Sequence, residues 1–254
     1  HKWHAAVKVI AGSPAMPGAA ELCTAAAARG GSGLVSLSAP GCRPRTRSEI
    51  VQHPIPAGGF CAEALSDIGR FAALVIGPGL GREDETLTAT RECIGEASVP
   101  VVVDGDALFA ASWSHEGAGP LFRDRELPTV LTPHDGEFGL LTGERPGDDR
   151  IAAVRAAVAE FDTTILLKGP TTIVASPGGQ VLLVDRGDQR LATAGSGDVL
   201  AGLIGALLAA GIEPARAAAA GAWLHGAAAD LGPEQGLLAG DIIELIPLAI
   251  GALV

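Results

Sequence analysis

Short apolar runs in this chain end on glycine or a lone polar residue, and a helical stretch follows most of them before the next run begins. Val7 to Ala11 leads into Gly12-Ser13, Ala72 to Ile76 into Gly77, and Val99 to Val103 into Asp104-Gly105-Asp106. Pro128 to Leu131 leads into Thr132-Pro133-His134, and Thr163 to Leu167 into Lys168-Gly169. A run such as Val99 to Val103 has no polar residue on either alternating face, so it fits only a strand covered on both sides. Parallel strands need crossovers, and helical stretches stand where crossovers belong: Pro17 to Arg29, Ala62 to Arg70, Glu83 to Glu96 and Asp149 to Phe161. Leu34 to Ser38 reads as a further strand, and the Pro-, Arg- and Gly-rich segment from Ala39 to Gly59 as an irregular connection.

The pattern then changes. Thr171 to Ala175 and Gln180 to Val184 flank Ser176-Pro177-Gly178-Gly179, a hairpin signal. Ala194 to Gly211, Pro214 to Leu231 and Asp241 to Leu253 are helical in period and length. No repeat or linker divides the chain. The order predicts one α/β domain over residues 1–254: a mostly parallel central sheet, helices on both faces, a late β-hairpin and C-terminal helices. Ligands of such sheets sit outside the carboxyl ends of the strands. The polar punctuation at those ends is Asp104, His134, Lys168 and, after the hairpin, Asp198.

Composition narrows the function. The 254 residues carry 18 Lys+Arg against 29 Asp+Glu, a formal net charge of −11, with 48% hydrophobic residues, which excludes a disordered chain. The acidity argues against a nucleic-acid binder, which needs a basic face. Val199 to Ile212, the most membrane-like stretch, falls short of the roughly 18 apolar residues of a span and reads as a buried helix. Cys23, Cys42, Cys61 and Cys93 form no C-x-x-C pair and read as reduced thiols of a cytoplasmic protein. Arg43, Arg45 and Arg47 read as a solvated loop. Lysine occurs only at Lys2, Lys8 and Lys168, against fifteen arginines, which makes the interior Lys168 conspicuous.

No P-loop, complete G-x-G-x-x-G, H-E-x-x-H or G-x-S-x-G motif occurs. The strongest chemical signal is Ala194-Gly195-Ser196-Gly197-Asp198-Val199-Leu200, small residues opening an apolar helix with an acid in its first turn. Free amides and the positive dipole end there suit an anion, and Asp198 could take a proton from a substrate hydroxyl. An ordinary N-terminal acid on a buried helix fits the pattern equally well. Lys168-Gly169-Pro170-Thr171-Thr172 delivers a cation to a turn, as nucleotide phosphates need or as any strand end permits. In His134-Asp135-Gly136-Glu137, His and Glu three apart share one side of a turn and could position a phosphate or, through water, Mg²⁺. Gly77-Pro78-Gly79-Leu80-Gly81 suits close approach to a ligand, or is a plain glycine turn.

The ordered set A-G-S…P-G-A-A, G-P-G-L-G, V-V-D-G-D-A-L, L-T-P-H-x-G-E-F, L-K-G-x-T-T and A-G-S-G-D-V-L-A-G resembles the ADP/ATP-dependent NAD(P)H-hydrate dehydratases of the ribokinase-like superfamily. The resemblance covers nearly the whole chain. It implies a ribokinase-like fold and repair of a damaged cofactor, in which the (6S)-hydrate of NADH or NADPH is phosphorylated from ADP or ATP and loses phosphate. It implies Asp198 as base, Gly195, Ser196 and Gly197 as anion hole, and Lys168, Gly169, Pro170, Thr171 and Thr172, with Gly197, around the adenine nucleotide. Ala20, Gly79 and His134 would contact the hydrate. Glu137, in H-x-x-E where the superfamily has N-x-x-E, would help hold Mg²⁺ through water. Gly105 departs from the alanine expected in D-A-D-A-L, and no chemical group is lost. ADP is the expected co-substrate, a homo-oligomer such as a tetramer the expected assembly, and an NAD(P)H-hydrate epimerase domain, fused upstream or separate, the expected companion. A chain beginning at His1 fits a cut from such a fusion. Two other readings share parts of the pattern: a small-alcohol, vitamin-precursor kinase of the same superfamily, and a nucleotide-binding module without catalysis.

Overall fold

The computed structural model describes residues 1–253. Nine strands form one sheet: β1 (Ala6–Ile10), β2 (Leu34–Pro40), β3 (Val51–Ile55), β4 (Ala73–Ile76), β5 (Val101–Val103), β6 (Thr129–Leu131), β7 (Thr164–Leu167), β8 (Thr172–Ala175) and β9 (Val181–Val184). Their order is β3-β2-β1-β4-β5-β6-β7-β8-β9. Every pair from β3 across to β7 is parallel, whereas β7–β8 and β8–β9 are antiparallel. The expected hairpin thus closes one end of a parallel sheet.

The helices are α1 (Pro17–Arg29), α2 (Cys61–Leu65), α3 (Asp84–Glu96), α4 (Asp106–Ser112), α5 (Gly119–Arg123), α6 (Asp135–Thr142), α7 (Arg150–Phe161), α8 (Ser196–Ala209), α9 (Pro214–Asp230) and α10 (Ala239–Gly251). Strand residues alternate between two cores. Val7, Val9, Val75, Val102 and Val130 pack with α1, α8 and α9, and α10 adds a further layer on that side. Ile10, Ile76, Val103, Leu131 and Leu167 pack with α2 to α7. Burial on both faces is why β4 and β5 are apolar throughout; Lys8 of β1 is buried only with Asp67 as its partner.

Three expectations need correction, and one connection without an expectation proves helical. The segment from Ala39 to Gly59 contains a real edge strand, β3, in parallel register with β2 despite Pro54. An edge strand tolerates proline, because one side of its backbone needs no partner. The stretch from Ala62 to Arg70 is broken into α2 and a 3₁₀ turn at Ile68–Arg70. The strand expected from Val99 begins at Val101, since Pro100 lacks an N–H and contributes only its carbonyl, which accepts from Leu74. Two short helices, α4 and α5, fill the connection after β5.

Register decides where the site lies. Ile10, Ile76, Val103 and Leu131 align across neighbouring strands. The ladder continues past the strand ends: Gly77 N–H donates to Ile10, Asp104 to Ile76 and Thr132 to Val103, each at 3.1 Å, and Lys168 to Pro133 at 2.8 Å. The polar punctuation of the sequence therefore becomes one row at one edge. Gly77, at φ 127°, lets the β4 turn pass β5; a Cβ there would lie 1.8 Å from the Asp104 carbonyl oxygen.

Candidate active site

Asp104, directly after β5, is buried and accepts from Thr132 Oγ1 at 2.6 Å and Lys168 Nζ at 2.8 Å, both on Oδ1. Lys168 Nζ also lies 3.7 Å from Glu137 Oε2. Burial works against the ammonium, but Asp104 and then Glu137 outweigh it and hold Lys168 above the ordinary lysine value. Burial pushes the Glu137 carboxyl up, and Lys168 offsets part of that rise.

Asp198 stands in the first turn of α8. Burial and then Asp104 push its carboxyl up, against the pull of Lys168, to about 7. A carboxylate with that pKa is suited to exchanging a proton near neutral pH. Gly195 caps α8 in the left-handed region at φ 85°, which turns the chain from the Leu191–Ala194 segment into the helix. The sequence pointed to three amides as an anion hole. The Ser196 N–H is engaged by the Thr193 carbonyl at 3.2 Å, whereas the Gly195, Gly197 and Asp198 N–H groups have no hydrogen-bond acceptor among the described residues. Gly197 abuts the lysine: a Cβ on it would lie 3.5 Å from Lys168 Nζ.

Lys168 and the Ser196-Gly197 start of α8 border a groove of about 1110 Å³ between the β6 and β7 ends, α8, α9 and the segment after β9; Asp104, Glu137 and Asp198 are not part of its lining. Lys168, Gly169, Pro170 and Thr172 line it, with Ser196, Gly197 and His134; Thr171 is exposed and lies off its wall. His134 caps α6: its Nδ1 accepts from Gly136 N–H at 2.9 Å and Glu137 N–H at 3.2 Å, and Glu137 Oε2 accepts from His134 N–H at 2.9 Å. The reciprocal box explains why the His–Glu spacing is three.

Gly79 and Ala20 lie toward α1, away from the groove wall. Gly79 sits against Met16 and Ala19, and Ala20 is fully buried under Gly12. The arginine loop is tethered: Glu244 pairs with both Arg29 and Arg47, and Gln52 Nε2 donates to the Pro44 carbonyl at 3.0 Å. No cluster of three His, Cys, Asp or Glu side chains suited to a metal occurs among the described residues. The four cysteines are free thiols, and no helix among the described residues is long and apolar enough to cross a membrane.

Sequence reasoning assigned no role to Asp104, Thr132 or Arg150. Asp104 carried a signal, its place at a strand end. Arg150 carried none, although it pairs with Asp135 at 2.8 Å and donates to the Lys168 carbonyl at 3.0 Å.

The family model for NAD(P)H-hydrate dehydratase matches residues 7–248. The chain belongs to the NAD(P)H-hydrate dehydratase family. It is 43% identical over 223 residues to a bifunctional NAD(P)H-hydrate repair enzyme Nnr of Mycobacterium leprae, covering 88% of this chain and 45% of that protein. It is 43% identical over 190 residues to an ADP-dependent (S)-NAD(P)H-hydrate dehydratase of Neisseria meningitidis, covering 71% of this chain and 64% of that one. The chain spans about half the length of the bifunctional relatives it matches. Among solved structures, the ADP/ATP-dependent NAD(P)H-hydrate dehydratase of Bacillus subtilis, co-crystallised with ATP/Mg²⁺, superposes at a TM-score of 0.81 with 27% identity, covering 100% of this chain and 92% of that one. A hydroxyethylthiazole kinase of Pyrococcus horikoshii, 21% identical, shares the ribokinase-like fold at a TM-score of 0.67 while covering 96% of this chain and 88% of that one.

Proposed function

We propose that this chain dehydrates the (6S)-hydrate of NADH or NADPH at the expense of ADP, returning the reduced cofactor with AMP and phosphate; it would then be a carbon–oxygen lyase acting in cofactor repair. One observation carries the reading: Asp198, a carboxyl pushed up to about 7, stands in the amide-bearing first turn of α8, whose Gly197 abuts Lys168 at the wall of the groove. Membership of the dehydratase family over residues 7–248 gives that arrangement its chemistry. Asp198 removes the proton of the C6 hydroxyl as its oxygen attacks the terminal phosphoryl group of ADP, and AMP departs. Free amides of Gly195, Gly197 and Asp198 stabilise the developing charge, with Ser196 shaping the turn. The C6–O bond then breaks with loss of the C5 proton, since phosphate leaves far more readily than hydroxide and the ring nitrogen supplies electrons.

Lys168, Gly169, Pro170, Thr171 and Thr172 form the nucleotide side of the site, with Gly197. His134, Gly79 and Ala20 belong to the hydrate side, Ala20 by floor rather than by contact. Glu137 would help hold Mg²⁺ through water, with phosphate oxygens supplying most of the other ligands, because one carboxylate suffices for that ion. Mg²⁺ would supply neutralisation of phosphate charge. The same reading includes a homo-oligomer, a cytoplasmic setting and an epimerase partner that supplies the S epimer. Incubation with hydrated NADH, ADP and Mg²⁺ should restore the reduced-nicotinamide absorbance; no recovery with ADP or ATP would overturn the proposal. Light scattering tests the assembly, a monomeric mass counting against it.

A further inference from the structure

Arg82 follows the Gly77–Gly81 turn at the carboxyl edge of the sheet. It is held on two sides. Its Nε donates to Asp106 Oδ1 at 2.8 Å, and its guanidinium carbon lies 4.4 Å from the centroid of the Phe109 ring. Asp106 is itself fixed, because its Oδ2 accepts from the Gly81 N–H at 3.0 Å. Arg82 is nevertheless 54% exposed, and neither of its terminal nitrogens has a hydrogen-bond partner among the described residues. A guanidinium anchored through Nε and a stacked face keeps both Nη groups available as a planar fork, the shape that fits phosphate oxygens. The rotamer freedom that a loose surface arginine loses on binding is already lost here. Asp106, the anchor, opens α4 two residues after Asp104, at the same carboxyl edge of the sheet.

We propose that Arg82 binds the pyrophosphate of the hydrated dinucleotide, with Asp106 and Phe109 as its positioning residues. The proposal rests on the dehydratase reading above. That substrate carries its pyrophosphate one ribose away from the ring on which Asp198 acts. Lys168 is engaged by Asp104 and Glu137 and borders the groove assigned to ADP, whose lining does not include Arg82. A chain of net charge −11 must meet a second anion with a local cation, and Arg82 is a prearranged one.

The test compares wild type with Arg82→Ala and Arg82→Lys on three hydrates: those of NADH, NADPH and reduced nicotinamide riboside, which lacks phosphate. Arg82→Ala should raise KM for both dinucleotide hydrates about tenfold, the worth of one charge-assisted contact. It should leave kcat and KM for ADP nearly unchanged, and kcat/KM for the riboside hydrate equal to wild type. Arg82→Lys should restore only part of the loss. An equal loss on the riboside would make Arg82 a structural support. A loss confined to the NADPH hydrate would assign it to the 2′-phosphate, and a raised KM for ADP to the co-substrate; each overturns the proposal. Calorimetric titration with NADH needs no turnover, and equal affinity of wild type and Arg82→Ala would overturn it as well. Absence of turnover in wild type would instead strike the dehydratase reading.

Discussion

Asp198, Asp104 and Lys168 form a charge balance that individual substitutions should unsettle in opposite directions. Asp198→Asn should lower kcat by a factor on the order of 10² to 10⁴, the usual weight of a general base, while ADP binding by calorimetry stays within about twofold. With the Asp198 carboxyl near 7, kcat/KM for the hydrate should rise with pH through about 7 and then level, because only the carboxylate can accept the proton. Asp104→Asn removes a carboxylate that pushes Asp198 up, so this acidic limb should move to lower pH; an unmoved limb would mean that Asp104 does not face Asp198 electrostatically. The stability sign follows from the same shift. A carboxyl raised on folding binds its proton more tightly in the native state, so ionising it costs stability above about pH 7 and costs nothing below about pH 4. Asp198→Asn should therefore melt higher than wild type at pH 8, with the gap closing toward pH 4. Lys168→Arg should weaken ADP use despite the conserved charge, since a planar fork cannot occupy the space beside Gly197 and bond Asp104 Oδ1 as the ammonium does. Asp104 and Lys168 were legible because they stand immediately after strands, and Asp198 because small residues open its helix. That Asp104 holds the lysine was not, because the contact joins residues 64 apart and nothing in the linear pattern specifies it.

Helix α8 has to bring its first turn to the sheet edge, and it does so by lying very close to both α1 and β4. A Cβ on Gly202 would sit 2.1 Å from the Cys23 carbonyl oxygen, and one on Gly205 2.3 Å from Val75 Cγ2. Gly202→Ala should thus destabilise by about 1–3 kcal/mol through forced separation of packed backbone, read as a lower denaturant midpoint. It should also lower kcat by displacing Asp198; an unchanged midpoint would show that the helices yield without cost. At α6 the cap is unusual in using imidazole. His134→Asn keeps an acceptor at that position, whereas His134→Ala should lose about 1 kcal/mol. Equal stability of the two variants would mean that the capping bonds contribute nothing net. Long elements such as α1, α3, α7, α8 and α9 were readable from period and length. The short ones, α4, α5 and β3, were not, because five or seven residues give too few repeats to set a period and are fixed by the surfaces they cover.

At the scale of the molecule, seven parallel strands put their carboxyl-end turns at one edge, and the turn into the antiparallel β8 and the segment after β9 line the groove there as well. Alternation of apolar runs and helices made this architecture legible. Strand order was not, since β1 lies inside the sheet between β2 and β4, an arrangement that only crossover handedness and packing select. The three lysines acquire a practical meaning from this layout. Lys8 is 1% exposed inside β1, with Nζ 2.9 Å from Asp67, and Lys168 is bound within the site. Lys2 is exposed and stands just before β1, at the edge opposite the functional turns. An amine-reactive ester should therefore modify Lys2 well before the other two, as peptide mass mapping would show. Coupling to a sensor surface through amines would then tether the molecule by its back, leaving the groove turned outward to the flowing ligand.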